Sequence, residues 1–151
     1  MDLLLYIGEC SAYSSKGHFK AADIRRNTTY LFLVLNMILS IICLTNLIDS
    51  KLIQIYSVVS LSASVLLLIS ETHGGLGICK DHMRFGNQYL ELHNHAFKLH
   101  LNQKTTNEEK EDLFDRLNQL NNTERPIVNY FAKLLAKLSI ERSGEMNIWW
   151  K

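Results

Sequence analysis

The chain reads as an all-α membrane protein, a two-helix transmembrane hairpin followed by a cytosolic helical extension. Three observations predict this. Residues 27–48 carry no charged side chain, residues 52–70 carry none either, and the segment beyond them sets apolar residues at helical spacing among charged ones. Averaged over 151 residues these features disappear: 16 Lys+Arg against 15 Asp+Glu, 47% hydrophobic residues and a formal charge of +1 describe an ordinary balanced chain. That balance excludes a disordered tail and a strongly basic nucleic-acid binder. The expected organisation is a cytosolic N-terminal segment (1–27), the transmembrane hairpin (28–70) and a cytosolic helical region (71–151).

Residues 1–27 open on the apolar stretch Leu3 to Ile7 and pass through the small residues Ser11, Ser14, Ser15 and Gly17. They end on a basic group formed by Lys16, Lys20, Arg25 and Arg26. From about Lys20 this segment reads as the first helix extended into the cytosol. Five apolar residues behind an acid lack the basic lead of a signal peptide, so an unsecreted chain is expected.

The first span, 30–48, has 15 apolar residues of 19. As a helix it covers roughly 28 Å, about one bilayer core. Twelve of its residues are Leu, Ile, Val or Phe, and it avoids the penalty of about 3 kcal/mol that each central charge would impose. The second span, 52–70, has 13 apolar residues of 19 and five serines. Only Asp49, Ser50 and Lys51 separate the two, enough for a tight reversal. A soluble helical hairpin is the alternative, disfavoured because the rest of the chain is too small and too polar to wrap two uniformly apolar helices. Lys16, Lys20, Arg25 and Arg26 precede the hairpin and Lys80 and Arg84 follow it, whereas the turn has Lys51 alone. The positive-inside bias therefore places both termini in the cytoplasm. Cys10, Cys43 and Cys79 have no paired spacing, so neither a disulfide nor a zinc site is expected.

Glu71 is followed by Gly74, Gly75 and Gly77, a glycine-rich joint where the second helix would leave the hydrocarbon. Glycine weakens a helix by about 1 kcal/mol relative to Ala, so a break or hinge is expected there. From Ile78 to about Leu101, Phe85, Tyr89, Leu92, Ala96 and Leu99 recur at steps of 4, 3, 4 and 3, a helical stripe. Glu108 to Leu120 carries five acids, mostly in its first turns, where the helix dipole favours them. A last helix is expected to begin at Pro126 and to use Ile127, Val128, Phe131, Leu134, Leu135 and Leu138 as its apolar set. Residues 71–151 hold 11 basic and 11 acidic side chains. No electrostatic footprint for nucleic acid exists there. Three short helices also make a thin core, so self-association is expected.

Candidate chemistry is sparse. His82, His93, His95 and His100 lie in one region beside Asp81 and Glu91, but His93 and His95 point to different sides of a helix, His93 and His100 are nearly two turns apart along it, and no zinc motif is matched. No catalytic residue, cofactor site or metal site is assigned. The informative pattern lies in the spans. Asn36, Ser40 and Cys43 share one face of the first helix, and Ser57, Ser60 and Ser64 share one face of the second. Such faces either pack the helices together through small side chains and hydrogen bonds or line a water-filled path in an oligomer. The two uses are compatible if packing holds a resting state. Trp149 and Trp150 suit either insertion at a membrane interface or an intersubunit contact.

The order of these features, from the lead-in KAADIRRNTTY through two spans, Glu71, FGNQYLELHNHAF and the terminal ERPIVNYFAKLL, resembles the SLATT superfamily over about residues 18–140. Lys20, Arg25, Arg26, Glu71 and Tyr89 stand at its matching juxtamembrane positions. The resemblance implies a bacterial inner-membrane effector of an anti-phage, abortive-infection type of system. It would oligomerise and form a pore or breach the membrane when triggered by a partner or nucleotide signal. A nucleotidyltransferase or a reverse transcriptase is the implied system partner, beside the lipid bilayer and other copies of the chain. With 151 residues, sensing is expected to belong to that partner. An alternative is a non-conducting membrane adaptor that tethers a cytosolic enzyme through the helical extension.

Overall fold

The computed structural model describes residues 2–44, 50–72, 75–102 and 105–144, and all regular structure among them is helical. The elements are α1 (Leu3–Leu44), α2 (Ser50–Thr72), α3 (Gly75–Leu101), α4 (Asn107–Asn122) and α5 (Tyr130–Ser143). Contacts divide the chain into two units, Met1–Ala22 with Lys80–Lys151, and Asp23–Cys79.

The first unit is a four-helix core, and its largest departure from the sequence reading is at the N-terminus. Helix α1 begins at Leu3, not near Lys20. Asp2 caps it: its side chain accepts from the Leu4 amide at 3.2 Å while its carbonyl accepts from Tyr6. Leu4, Ile7, Ser11, Ser15, His18 and Ala22 are all buried, at steps of three or four. The stretch of small polar residues is therefore the contact face of a helix. Its short side chains let backbones approach, and Ser15 Oγ donates to the Gly86 carbonyl at 2.9 Å. Gly86 has a matching reason to be glycine, since a Cβ there would fall 2.6 Å from the Phe19 ring.

Helix α3 buries Phe85, Tyr89, Leu92, Ala96 and Leu99, the stripe read from the sequence. Tyr89, Leu92, Ala96 and Leu99 pack with Leu4 and Ile7 of α1 and with Leu113 and Leu117 of α4 into one apolar cluster. Helix α4 starts with a reciprocal cap: the Thr106 side chain accepts from the Glu109 amide and the Glu109 carboxylate accepts from the Thr106 amide.

Helix α5 corrects the sequence reading twice. It starts at Tyr130 rather than Pro126, because Asn129 supplies the cap, accepting from the Ala132 amide at 2.7 Å. Its buried face is Ala132, Ala136 and Ile140, whereas Phe131, Leu134 and Leu138 are exposed. The small side chains face inward because they permit close helix packing. The helix stops at Gly144, whose φ of 63° is the left-handed conformation that glycine adopts without strain.

The second unit is built differently. Helix α2 and the later part of α1 are both long and apolar enough to cross a membrane. No described residue from 23 to 69 is buried. Leu61 and Leu68 are each 66% exposed and Val58 64%.

Candidate functional site

The six polar residues picked out in the two apolar stretches are brought together on one seam within the Asp23–Cys79 unit. Asn36 Nδ2 donates to Ser64 Oγ at 2.7 Å, and Ser60 Oγ donates to Asn36 Oδ1. Ser40 Oγ stands 3.5 Å from Ser60 Oγ, and Cys43 Sγ stands 3.8 Å from Ser57 Oγ. Each step up α1 is a step down α2, so the helices run antiparallel.

Counting protons shows how closed the seam is. Ser40 already donates to the Asn36 carbonyl at 2.8 Å, and Ser60 donates to the Asn36 amide oxygen. Neither has a second proton for their mutual contact, which is therefore a polar approach rather than a hydrogen bond. Ser57 and Ser64 likewise donate to the carbonyls of Ile53 and Ser60. Asn36 is the hub, with both ends of its amide used across the seam. The result is a seam of six polar side chains between helices whose other faces are mainly apolar, with Gln54 and Ser62 exposed outside the seam.

The other sequence-derived positions are dispersed. Arg26 pairs with Asp23 at 2.9 Å. The Nε of Arg25 is buried without a hydrogen-bond partner among the described residues. Lys20 is half-buried in α1. Gly75 and Gly77 lie inside α3, which starts at Gly75, and a Cβ on Gly77 would meet nothing. Gly74, Trp149, Trp150 and the side chain of Glu71 lie outside the described residues.

Tyr89 sits in the first unit, fully buried. Its hydroxyl donates to Asn121 Oδ1 at 2.9 Å and accepts from Arg125, which also donates to Asn121 at 3.1 Å. This closed triangle ties α3, the end of α4 and the chain leading to α5. Burial raises the phenol above its usual value against the opposing pull of Arg125. It stays protonated and keeps donating.

Beside it lies a pair that sequence reading missed. His18 of α1 and His82 of α3 are both buried, with their Nδ1 atoms 2.9 Å apart. One of the two must donate and the other accept, so a single proton occupies that line. His18 stacks on Phe85 and Tyr89, with ring centroids 5.8 Å away in each case. Burial first, then the proximity of His82 and Arg125, lowers His18 to about 4. These residues are 64 positions apart, and the only local signal was that His18 continues the step from Ser11 and Ser15. A further missed histidine contact joins His93 Nδ1, donating, to the Gly8 carbonyl at 2.9 Å.

A cavity of about 600 Å³ opens beside His18 in the same unit. Its walls are α1 around Tyr13, Ser14 and Gly17, the connector from Arg125 to Val128, and the α5 face carrying Lys133 and Lys137.

No protein-family model, curated protein or solved structure matches this chain.

Proposed function

We propose that the Asp23–Cys79 unit is a bilayer-embedded hairpin of the inner membrane, and that the protein is a non-enzymatic effector that opens the membrane when triggered. One observation carries the first part: over the described residues from 23 to 69 nothing is buried, the large apolar side chains face outward, and Asn36, Ser40, Cys43, Ser57, Ser60 and Ser64 face each other along the seam. In water that arrangement exposes far more continuous apolar surface than a soluble protein tolerates. In a bilayer it places hydrocarbon against hydrocarbon and gives every seam group a partner. The charge asymmetry of Lys16, Lys20, Arg25, Arg26, Lys80 and Arg84 against Lys51 favours cytoplasmic termini.

The second part draws on the resemblance to SLATT proteins and on the seam. The hydrogen bonds of Asn36, Ser60 and Ser64 hold a closed resting hairpin. When copies assemble, the same uncharged polar faces turn outward from the pair and line a wetted path, at less cost than buried charges would impose. The trigger comes through the cytosolic helices, from a nucleotidyltransferase or reverse transcriptase partner or from a nucleotide signal. This reading predicts that induced expression under triggering conditions collapses the membrane potential reported by a voltage-sensitive dye. Replacing Ser60 and Ser64 by Leu should abolish that collapse while the protein still inserts. Intact potential under every triggering condition would reject the effector.

The seam also favours a second reading. Its groups are satisfied within one chain, which suits a non-conducting anchor that tethers a cytosolic enzyme. Capture of that enzyme by the full chain, with membranes that stay tight, is the result that selects the adaptor.

A further inference from the structure

We propose that the cavity beside His18 binds a ring-bearing organic phosphate, a soluble ligand recognised by the helical unit that contains His18. This does not rest on the membrane reading, because every residue of the cavity belongs to the Met1–Ala22 and Lys80–Lys151 unit. Its volume of about 600 Å³ falls within the roughly 300–1,000 Å³ typical of small-molecule sites.

The charge of the lining selects an anion. Arg125, Lys133 and Lys137 contribute three cations to one cavity, and no acidic side chain lines it. Lys137 is shared only loosely with Glu141, at 3.8 Å. Among the described residues neither Arg125 nor Lys133 forms an ion pair. Arg125 spends Nη1 on Tyr89 and Asn121, which fixes the guanidinium while Nη2 and Nε make no hydrogen bond to the described residues. A held guanidinium with open donors suits a phosphate. The start of α5 adds to this field. Its first turn has no acid, and Lys133 follows directly, next to the positive end of the helix dipole. Like charges gathered at a helix N-terminus repel each other until an anion joins them.

The other walls select what the phosphate is attached to. Tyr13, Pro126, Ile127 and Val128 provide an aromatic ring and aliphatic surface, and Ile127 is 90% exposed. Inorganic phosphate would use the cations and leave this surface wet. A ligand with a flat ring and a phosphate uses both.

The test is calorimetric titration of the detergent-solubilised full chain with ADP, adenosine and inorganic phosphate. ADP should bind once per chain and at least about tenfold more tightly than either fragment. The double change Lys133→Ala and Lys137→Ala should weaken ADP by about tenfold or more, the scale of lost charge-assisted hydrogen bonds. Both lysines are exposed and outside the core, so the melting temperature should hold. ADP binding weaker than about 1 mM, ADP no tighter than adenosine, or ADP binding indifferent to the two lysines would each overturn the proposal. So would displacement of ADP by phosphatidylglycerol bicelles at equal phosphate concentration, which would assign the site to a lipid headgroup.

Discussion

The two units of this chain solve burial in opposite directions. In the first, Leu4, Ile7, Tyr89, Leu92, Leu113 and Leu117 point inward and the charged side chains point out. In the second, Asn36, Ser60 and Ser64 point inward and Leu61, Leu68 and Val58 point out. One sequence thus follows two polarity rules, and under the proposed bilayer reading each suits its own solvent. Water stabilises the first pattern through apolar burial, whereas the second is stable where the surroundings are themselves apolar and only hydrogen bonds and packing favour association.

The contrast predicts that stability resides mainly in the first unit and is lost there first by core changes. Tyr89→Ala should have the largest effect. It empties a fully buried ring site that also stacks on His18 and ties Asn121 to Arg125, a loss of about 3–5 kcal/mol. Urea unfolding of the detergent-solubilised chain, followed by near-UV circular dichroism, would show it as a lower midpoint.

Acid should act on the same unit. His18 is lowered to about 4 in the folded chain from 6.5. Between these values the unfolded chain binds more protons, so stability is full above about pH 6.5, declines as the pH falls, and levels off below about 4. The loss is at most on the order of 3 kcal/mol. His18→Leu should flatten this slope in unfolding curves taken across that range. An unchanged slope would mean that the His18–His82 proton line is not what titrates.

The smallest effect belongs to the seam. Asn36→Ala removes two cross-helix hydrogen bonds, and such bonds in membranes average about 0.6 kcal/mol each. The hairpin should stay inserted but close less tightly. In a chain otherwise lacking Cys10 and Cys79, oxidation of a Ser57→Cys variant should cross-link it to Cys43, which faces it across the seam. Adding Asn36→Ala should slow that reaction.

How much of this was legible depended on residue type. The α3 stripe was readable because Phe85, Tyr89, Leu92 and Leu99 are large and apolar, and hydrophobic periodicity registers such residues. The first half of α1 was not, since Ser11, Ser15 and His18 occupy its buried face and carry no apolar signal. Helix α5 failed for the converse reason. Phe131, Leu134 and Leu138 signal a core face, yet Ala132, Ala136 and Ile140 fill it, because close packing selected size over hydrophobicity. The seam residues could be placed on their helix faces, while their pairing required the antiparallel register. The His18–His82 contact and the cationic cavity join distant segments and had no local pattern to announce them.

The polarity inversion of the second unit is tested most directly by spin labels at adjacent positions of α2, Ser60→Cys and Leu61→Cys, each in a chain without its native cysteines. Power saturation in liposomes compares access of oxygen, which concentrates in hydrocarbon, with access of a water-soluble nickel chelate. A bilayer hairpin with a closed seam predicts a label at 61 open to oxygen and shielded from nickel, and a label at 60 shielded from both. Nickel access at 61 equal to that of a label on exposed α4 would contradict it.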